Sequence, residues 1–379
     1  MRWFKRAFFF LKRLLAVSKL PFALIIGQVR SRHQVISSWP EALPALGPRV
    51  VLFMHFDGKG GVRPQVLHYL REFKANHRDI VFVTNSGRLR PEALAELQAL
   101  CSIVLVRKNI GYDFGAWADA LAHLGLPQEN TQEVILANDS VFGPLLPLSD
   151  ILQRLDYSQT DVWGLTESWQ QCYHLQSFFL AFGAKALHAK GFKAFWQSVR
   201  PVPFKPYIVK KYEVGVTQAM IKNGLRCKAL WSYEHLTAMA GQALIELLEE
   251  SQKDPTKKTR QTKPMRIRID MGGRESLSPN SDLWRQEEDQ EDPVQKMRET
   301  QLLRIRIDKA RREPMNPTSD LWRQLLQAGF PFIKRELLRE NPSGVSDISE
   351  WAEVVHEALN VDPDPIRQEL RLMLKGKAP

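Results

Sequence analysis

From Val50 onward, short apolar runs alternate with stretches in which apolar residues recur at helical spacing. Val50 to His55 is a continuous apolar run, too short for a helix and bounded by the glycine-rich turn Asp57-Gly58-Lys59-Gly60-Gly61. A helical pattern follows from Pro64 to about Asn76, and Ile80 to Thr84 forms a second apolar run. Pro91 to Leu100 reads as a helix with proline in its first turn, where the missing N–H costs nothing. Ile103 to Val106 is a third strand, Phe114 to Leu124 a helix and Val134 to Ala137 a fourth strand. Buried strands alternating with amphipathic helices predict an α/β fold, a mainly parallel sheet with helices on both faces.

In such sheets ligands bind beyond the carboxyl ends of the strands. The residues there are His55, Phe56 and Asp57; Asn85 and Ser86; Arg107, Lys108 and Asn109; and Asn138, Asp139 and Ser140. Strand ends are generally polar because they meet water, so no single residue decides anything. Together they supply cations for phosphates, amides and hydroxyls for ribose or base, and a carboxylate able to hold a divalent metal. A nucleotide diphosphate would use all of these. The turn at Asp57 to Gly61 resembles a phosphate-cradling loop but lacks the spacing of a P-loop.

Composition changes this picture little except at the start of the chain. Apolar residues make up 44% and charged residues 25% of 379, the balance of a globular protein. The formal charge is +11, but eight Lys or Arg lie in residues 1–40, with no acid before Glu41. The remainder therefore carries only +3, which argues against nucleic acid as a partner. The opening segment interleaves Lys5, Lys12 and Lys19 at seven-residue spacing with Trp3, Phe4, Phe8 and Leu11. Residues 1–36 read as a basic amphipathic segment resting on anionic lipid, with a solvated or domain-covering helix as the alternative. No stretch there approaches the roughly 20 apolar residues that span a bilayer. Cys101, Cys172 and Cys227 have no metal spacing and fit reduced thiols in the cytoplasm.

Residues 265–286 and 303–324 repeat one another at an offset of 38, and only the second copy runs on into Gly329-Phe-Pro-Phe-Ile-Lys-Arg-Glu-Leu-Leu-Arg339. The expected organisation is an α/β domain over 49–250, a charged insert with the partial duplication over 251–300, and a helical region over 301–379. In the last, helices are predicted from near Ser349, with Trp351, Val354, Val355 and Leu359 on one face, and from Pro365 after Asp364.

Several motifs occur in order. Arg107-Lys-Asn-Ile-Gly-Tyr-Asp-Phe-Gly-Ala-Trp117 joins a strand exit, a glycine turn and a helix start, with Asp113 placed to cap the helix. Leu136-Ala-Asn-Asp-Ser-Val-Phe-Gly-Pro144, Asp161-Val-Trp-Gly-Leu-Thr-Glu-Ser168, His174-Leu-Gln-Ser-Phe-Phe179, Phe192-Lys-Ala-Phe-Trp196 and Tyr212-Glu-Val-Gly-Val-Thr217 follow. Together these resemble the rhamnan synthesis protein F family, bacterial proteins of cell-surface polysaccharide assembly with a GT-A-like glycosyltransferase core. The resemblance runs from about Val50 to Gly224 and resumes at Asn316-Pro-Thr-Ser-Asp-Leu-Trp322 and Phe330 to Arg339.

The resemblance implies transfer of a sugar, often L-rhamnose, from a nucleotide donor such as dTDP-L-rhamnose or GDP-rhamnose to a lipid-linked glycan. The place of work would be the inner face of the cytoplasmic membrane, with the protein peripherally attached. A non-catalytic nucleotide- or glycan-binding component of the same machinery is the alternative. GT-A enzymes hold Mg²⁺ or Mn²⁺ with an acidic motif at a strand end. Asn138-Asp139-Ser140 stands at that position with one carboxylate, leaving open whether Asp139 ligates the metal or Arg107 and Lys108 neutralise the diphosphate. The donor-binding set is His55, Asp57, Asn85, Arg107, Asn109, Asp113, Asn138, Asp139 and Ser140. An inverting reaction also needs a carboxylate to deprotonate the acceptor; Glu213 is the first candidate and Glu167 the second. Trp163, His174, Gln176 and Ser177 are the candidates for sugar or acceptor contacts, against core packing and local networks. His235 is a weak candidate metal ligand.

Overall fold

The expected strands form the centre of one sheet. The structure, a computed structural model, describes residues 34–253, 314–345 and 347–374. The amphipathic segment up to residue 33 and the duplicated, charged stretch from 254 to 313 lie outside the described residues. β1 (Val35–Trp39), β2 (Arg49–His55), β3 (Asp79–Thr84), β4 (Ile103–Arg107) and β5 (Glu133–Asn138) come first. Helices Pro64–Ala75, Pro91–Gln98 and Tyr112–His123 connect β2 to β5. β6 (Val141–Phe142), β7 (Val162–Ser168), β8 (His174–Leu175), β9 (Phe179–Gly183) and β10 (Cys227–Trp231) follow. The strand order is β1-β4-β3-β2-β5-β9-β7-β10, with β8 on β7.

Strands β4, β3, β2 and β5 are parallel, as their continuous apolar runs require of strands covered on both faces. The α/β class and the helical C-terminal region are as the sequence predicts. The flanks are mixed: β1 runs antiparallel to β4, and β9 runs antiparallel to both β5 and β7. β1 precedes the alternating runs that begin at Val50. It is an edge strand with Ile36 half exposed, so its pattern carries no clean alternation.

The described residues after Arg312 belong to the same compact unit as those up to Leu236. The described residues from Thr237 to Lys253, which continue the helix Tyr233–Lys253, fall in a second unit. In the first unit, β11 (Ile333–Lys334) pairs antiparallel with β6. Helices Pro317–Asp320, Trp322–Gln327, Arg335–Glu340, Trp351–Leu359 and Asp364–Met373 surround it. Phe142, Trp322, Leu337, Trp351, Val355 and Leu370 pack there into an apolar core of their own. Polar ties add to it: Trp231 Nε1 donates to the Ala328 carbonyl at 2.9 Å, and Gln176 Nε2 donates to Asn316 Oδ1 at 3.1 Å. Among the described residues, no helix is long and apolar enough to cross a membrane.

Candidate functional site

Because β2 and β5 are neighbours, His55 and Asp57 stand beside Asn138 and Asp139 at the carboxyl edge; the Asp139 amide donates to the Met54 carbonyl at 3.2 Å. The turn after β2 is closed by its own first residue. Asp57 Oδ1 accepts from the amides of Lys59 at 2.8 Å and Gly61 at 3.1 Å, so these N–H groups face a carboxylate rather than a phosphate. Partial burial opposes ionisation of Asp57, but those amides and Arg63 outweigh it and hold its carboxyl below the usual range. His55 is fully buried, with Nδ1 3.1 Å from Thr84 Oγ1 and Nε2 without a hydrogen-bond partner among the described residues. Burial lowers its pKa, partly offset by the Asp139 charge.

Asp139 carries two guanidinium groups. Arg335 Nη1 lies 2.8 Å from Asp139 Oδ2 and also donates to the Asp139 carbonyl. Arg63 Nη1 lies 3.6 Å from the same oxygen, while its other atoms face Asp57 at 3.5 Å and Glu369 at 4.0 Å. The carboxylate of Asp139 is only 13% exposed, so these contacts sit in a poorly solvated place. Burial raises the pKa of Glu369.

The short β6–β11 ladder delivers Arg335, placing Lys334 opposite Val141, and the Arg335 amide donates to the Ser140 carbonyl at 2.9 Å. Gly143 lets the two segments meet. Its φ is 121°, and a Cβ there would stand 2.4 Å from the Pro331 carbonyl oxygen.

A second group of carboxylates lies at the same edge. Gly111, with φ at 83°, starts the helix Tyr112–His123 and sets Asp113 in its first turn. A Cβ on Gly111 would meet Pro201 Cα at 2.8 Å, so only glycine permits this approach. Asn138 Nδ2 donates to Asp113 Oδ2 at 2.9 Å, and Asn138 Oδ1 accepts from the amide of Ser140 at 3.0 Å and its hydroxyl at 2.6 Å. Burial pushes the Asp113 carboxyl up to about 7, helped by the charges of Asp139 and Glu213 and opposed by Asn138 and Lys334. Glu213 closes a π-helical turn, Val209–Glu213, that runs into the helix Val214–Lys222. Its Oε1 accepts from the Ser177 amide at 3.1 Å and hydroxyl at 2.9 Å. Ser177 lies between β8 and β9, next to Phe178, whose carbonyl accepts from the Asn138 amide at 3.3 Å.

Other residues singled out in the sequence are placed elsewhere or already engaged. Arg107, expected to meet phosphates, is fully buried. Its guanidinium binds Asp119 Oδ2 at 2.9 and 2.5 Å, the carbonyl of Gly115 at 3.2 Å and the side-chain oxygen of Asn85. Asn85 is thereby buried as well, while Lys108 and Asn109 are exposed just past β4. Glu167 accepts from the Tyr233 amide at 2.9 Å and the Tyr173 hydroxyl at 3.1 Å, tying β7 to its surroundings. Gln176 joins Thr166 to Asn316 and Thr318, and His174 Nδ1 lies 2.9 Å from the Cys172 carbonyl. Trp163 shares Ala181 as a ladder partner with Ile135, halfway down the sheet from the site, and its indole donates to the Asp156 carbonyl at 3.2 Å. His235 is exposed on the helix Tyr233–Lys253. A cavity of about 690 Å³ lies between helices Tyr112–His123 and Lys190–Ser198, on the flank of the sheet and not at this edge.

Sequence reasoning did not single out Arg63, Arg335 or Glu369. Arg335 sits in a motif that carries the resemblance, which is the one signal that could have drawn attention to it.

The donor set does not fit a divalent cation held through Asp139 as it stands. Two guanidinium groups already meet that carboxylate, and among the described residues no group of three or more His, Cys, Asp or Glu side chains could hold a metal ion.

Two curated relatives and two solved structures share parts of the chain. The uncharacterized protein y4gN of Sinorhizobium fredii (strain NBRC 101917 / NGR234) is 27% identical over 161 residues, 41% of this chain and 42% of that protein. The chain thus spans less than half the length of that relative. The virulence protein VirA of Vibrio anguillarum (strain ATCC 68554 / 775) is 25% identical over 265 residues, 69% of this chain and 70% of that one. A nucleotide-diphospho-sugar transferase from Desulfovibrio desulfuricans G20 overlaps 49% of this chain and 81% of its own, with a TM-score of 0.29 and 11% identity. The apo structure of the bifunctional glycosyltransferase WbbM overlaps 50% of this chain and 39% of its own, with a TM-score of 0.30 and 13% identity. The family model of rhamnan synthesis protein F matches residues 80–243, so the stretch from β3 into the helix after β10 carries the pattern of the family that the motifs resemble.

Proposed function

We propose that this chain is a glycosyltransferase that takes a sugar from a nucleotide-sugar donor and adds it to a growing cell-surface polysaccharide. The observation that carries the reading is the carboxyl edge of β2 and β5. There Asp139 with its two arginines and the Asp113–Asn138–Glu213 group stand side by side on neighbouring strand ends and the elements over them.

The chemistry requires two things of such an edge. Cationic or hydrogen-bonding groups must stabilise the diphosphate as it leaves the sugar, and a carboxylate must receive the proton of the acceptor hydroxyl. Arg63, Arg335 and Lys334 are the cations at this edge, and Asn138, Ser140 and Ser177 are its neutral polar groups. Glu213 belongs to the acceptor side of the site, whereas the contacts of Glu167 give it a structural part. With Asp139 paired to arginines, the diphosphate is neutralised by side chains.

The match to the rhamnan synthesis family supports L-rhamnose as the sugar; the proposed donor is dTDP-L-rhamnose or GDP-rhamnose, and the proposed acceptor a lipid-linked glycan at the inner membrane face. The engaged state of Asp139 favours a second reading, a nucleotide- or glycan-binding component without turnover. Incubating the purified chain with nucleotide sugars and membrane-extracted acceptor separates the two. Release of nucleoside diphosphate with growth of the glycan supports the transferase; binding of nucleotide without release supports the second reading.

A further inference from the structure

We infer that Asp113, and not Glu213, takes the proton from the acceptor hydroxyl, with Asn138 aiming its carboxylate and Glu213 acting as a positioning residue. The inference rests on the glycosyltransferase reading and says which carboxylate of that site does the proton transfer.

Of the carboxylates at this edge, Asp57 is held by the amides of its own turn and by Arg63, and Glu369 by the Gln65 amide and Arg63; the partners of the remaining three differ. Asp139 meets Arg335 at 2.8 Å and Arg63 at 3.6 Å, two full positive charges. Glu213 accepts two hydrogen bonds through one oxygen, from the amide and hydroxyl of Ser177. Asp113 alone of the three accepts a single neutral hydrogen bond among the described residues, from Asn138 Nδ2 at 2.9 Å. A general base must turn a carboxylate oxygen to the acceptor hydroxyl and works best when its proton affinity lies near the working pH. Asp113, with one neutral donor, is the carboxylate of the three least committed to partners.

The surroundings of Asp113 explain why. It is half-buried in the first turn of the helix Tyr112–His123, which Gly111 starts in a left-handed conformation. Asp139 faces it from beyond β5 and Glu213 from the π-helical turn, both adding negative charge. Lys334, from β11, and the Asn138 amide oppose them, and burial outweighs both. Asn138 is itself fixed, because its Oδ1 accepts from the amide and hydroxyl of Ser140. The Asn138 side chain therefore presents its N–H₂ to Asp113, and this orients the carboxylate without carrying charge to it.

The acceptor hydroxyl oxygen bonds to the anomeric carbon while its proton passes to an Asp113 carboxylate oxygen. The bond from the anomeric carbon to the diphosphate oxygen breaks, and the diphosphate leaves with that electron pair. Asp113 then returns the proton to solvent.

The test compares the full chain with Asp113→Asn and Glu213→Gln, reading turnover of the nucleotide sugar against pH and nucleoside diphosphate binding by calorimetry. The wild type is expected to gain activity as pH rises through about 7, the value to which the Asp113 carboxyl is pushed. Asp113→Asn loses roughly 100-fold or more in kcat while binding nucleoside diphosphate within about threefold of the wild type. Glu213→Gln keeps measurable turnover and moves the rising limb to lower pH, because a negative charge near Asp113 has gone. Intact turnover in Asp113→Asn, or a Glu213→Gln enzyme that is dead with no shifted limb, overturns the assignment. A wild type that binds nucleotide and turns over no donor overturns the glycosyltransferase reading itself, and the assignment with it.

Discussion

Replacing Asp119 by Asn tests whether Arg107 is a structural cation or a ligand for phosphate. Arg107 is 0% exposed, and its guanidinium reaches Asp119 Oδ2 through Nε at 2.9 Å and Nη2 at 2.5 Å. Its further partners, Gly115, Ile110 and Asn85, are neutral oxygens, so Asp119 supplies the counter-charge in this group. The Asn side chain fills the same space but leaves the guanidinium buried without that charge. Breaking a buried pair from one side costs about 3–5 kcal/mol. With a urea dependence of about 3 kcal/mol per molar, the unfolding midpoint falls by roughly 1–1.7 M. The loss is a large fraction of the roughly 5–15 kcal/mol that holds a domain together. Urea titration followed by tryptophan fluorescence and far-ultraviolet circular dichroism measures it. The double replacement Arg107→Met with Asp119→Leu restores most of the stability, since an apolar pair of similar volume needs no counter-charge. A midpoint shift below about 0.3 M for Asp119→Asn, together with weakened nucleotide binding, would refute this placement and return Arg107 to the ligand.

Three further outcomes follow from the same geometry. Asp113 titrates at about 7 in the folded chain against 3.8 unfolded, so its stabilising protonated form is present at acid pH and lost as pH rises to about 7. Thermal unfolding should therefore show Asp113→Asn equal to the wild type near pH 4 and more stable at pH 8; a mutant less stable at pH 8 contradicts the shift. Arg335→Gln removes the charge-assisted contact to Asp139 and should cost about 1.5–3 kcal/mol in urea unfolding, with weaker nucleoside diphosphate binding by calorimetry; unchanged binding removes Arg335 from the donor side. Gly143→Ala forces a Cβ against the Pro331 carbonyl at a φ of 121°, a conformation costing about 1–3 kcal/mol before any clash. Limited proteolysis should then cut the Phe330 to Arg339 segment faster than in the wild type, and equal rates would show that the β6–β11 contact tolerates the change.

What the sequence revealed and what it hid divide along one physical line. The parallel strands were legible because each is a continuous apolar run, and every residue of β4 and β5 is buried. The Pro-started helices Pro64–Ala75 and Pro91–Gln98 were legible for a similarly local reason. β6 and β11 were not, because two-residue strands carry no period. Arg335 was hidden with them: its partner Asp139 lies 196 positions away, and only the folded C-terminal core brings the two together. Arg107 was misread in the opposite sense. A cation at a strand end looks available until the helix Tyr112–His123 lays Asp119 against it. Trp163 and Glu167 share one strand, yet their position along the sheet depends on the antiparallel pairing of β9 with β5 and β7, which no local pattern announces.

In the function proposed, the edge formed by Asp113, Asn138, Asp139 and the arginines on Asp139 moves a sugar from a nucleotide. The most direct measurement is nucleoside diphosphate release from a panel of nucleotide sugars by the purified chain in the presence of acceptor glycan, with Asp113→Asn and Arg335→Gln alongside. Release and glycan extension are expected of the wild type, lost in Asp113→Asn and diminished in Arg335→Gln. Nucleotide binding at this edge with no release from any donor in the panel would contradict that function.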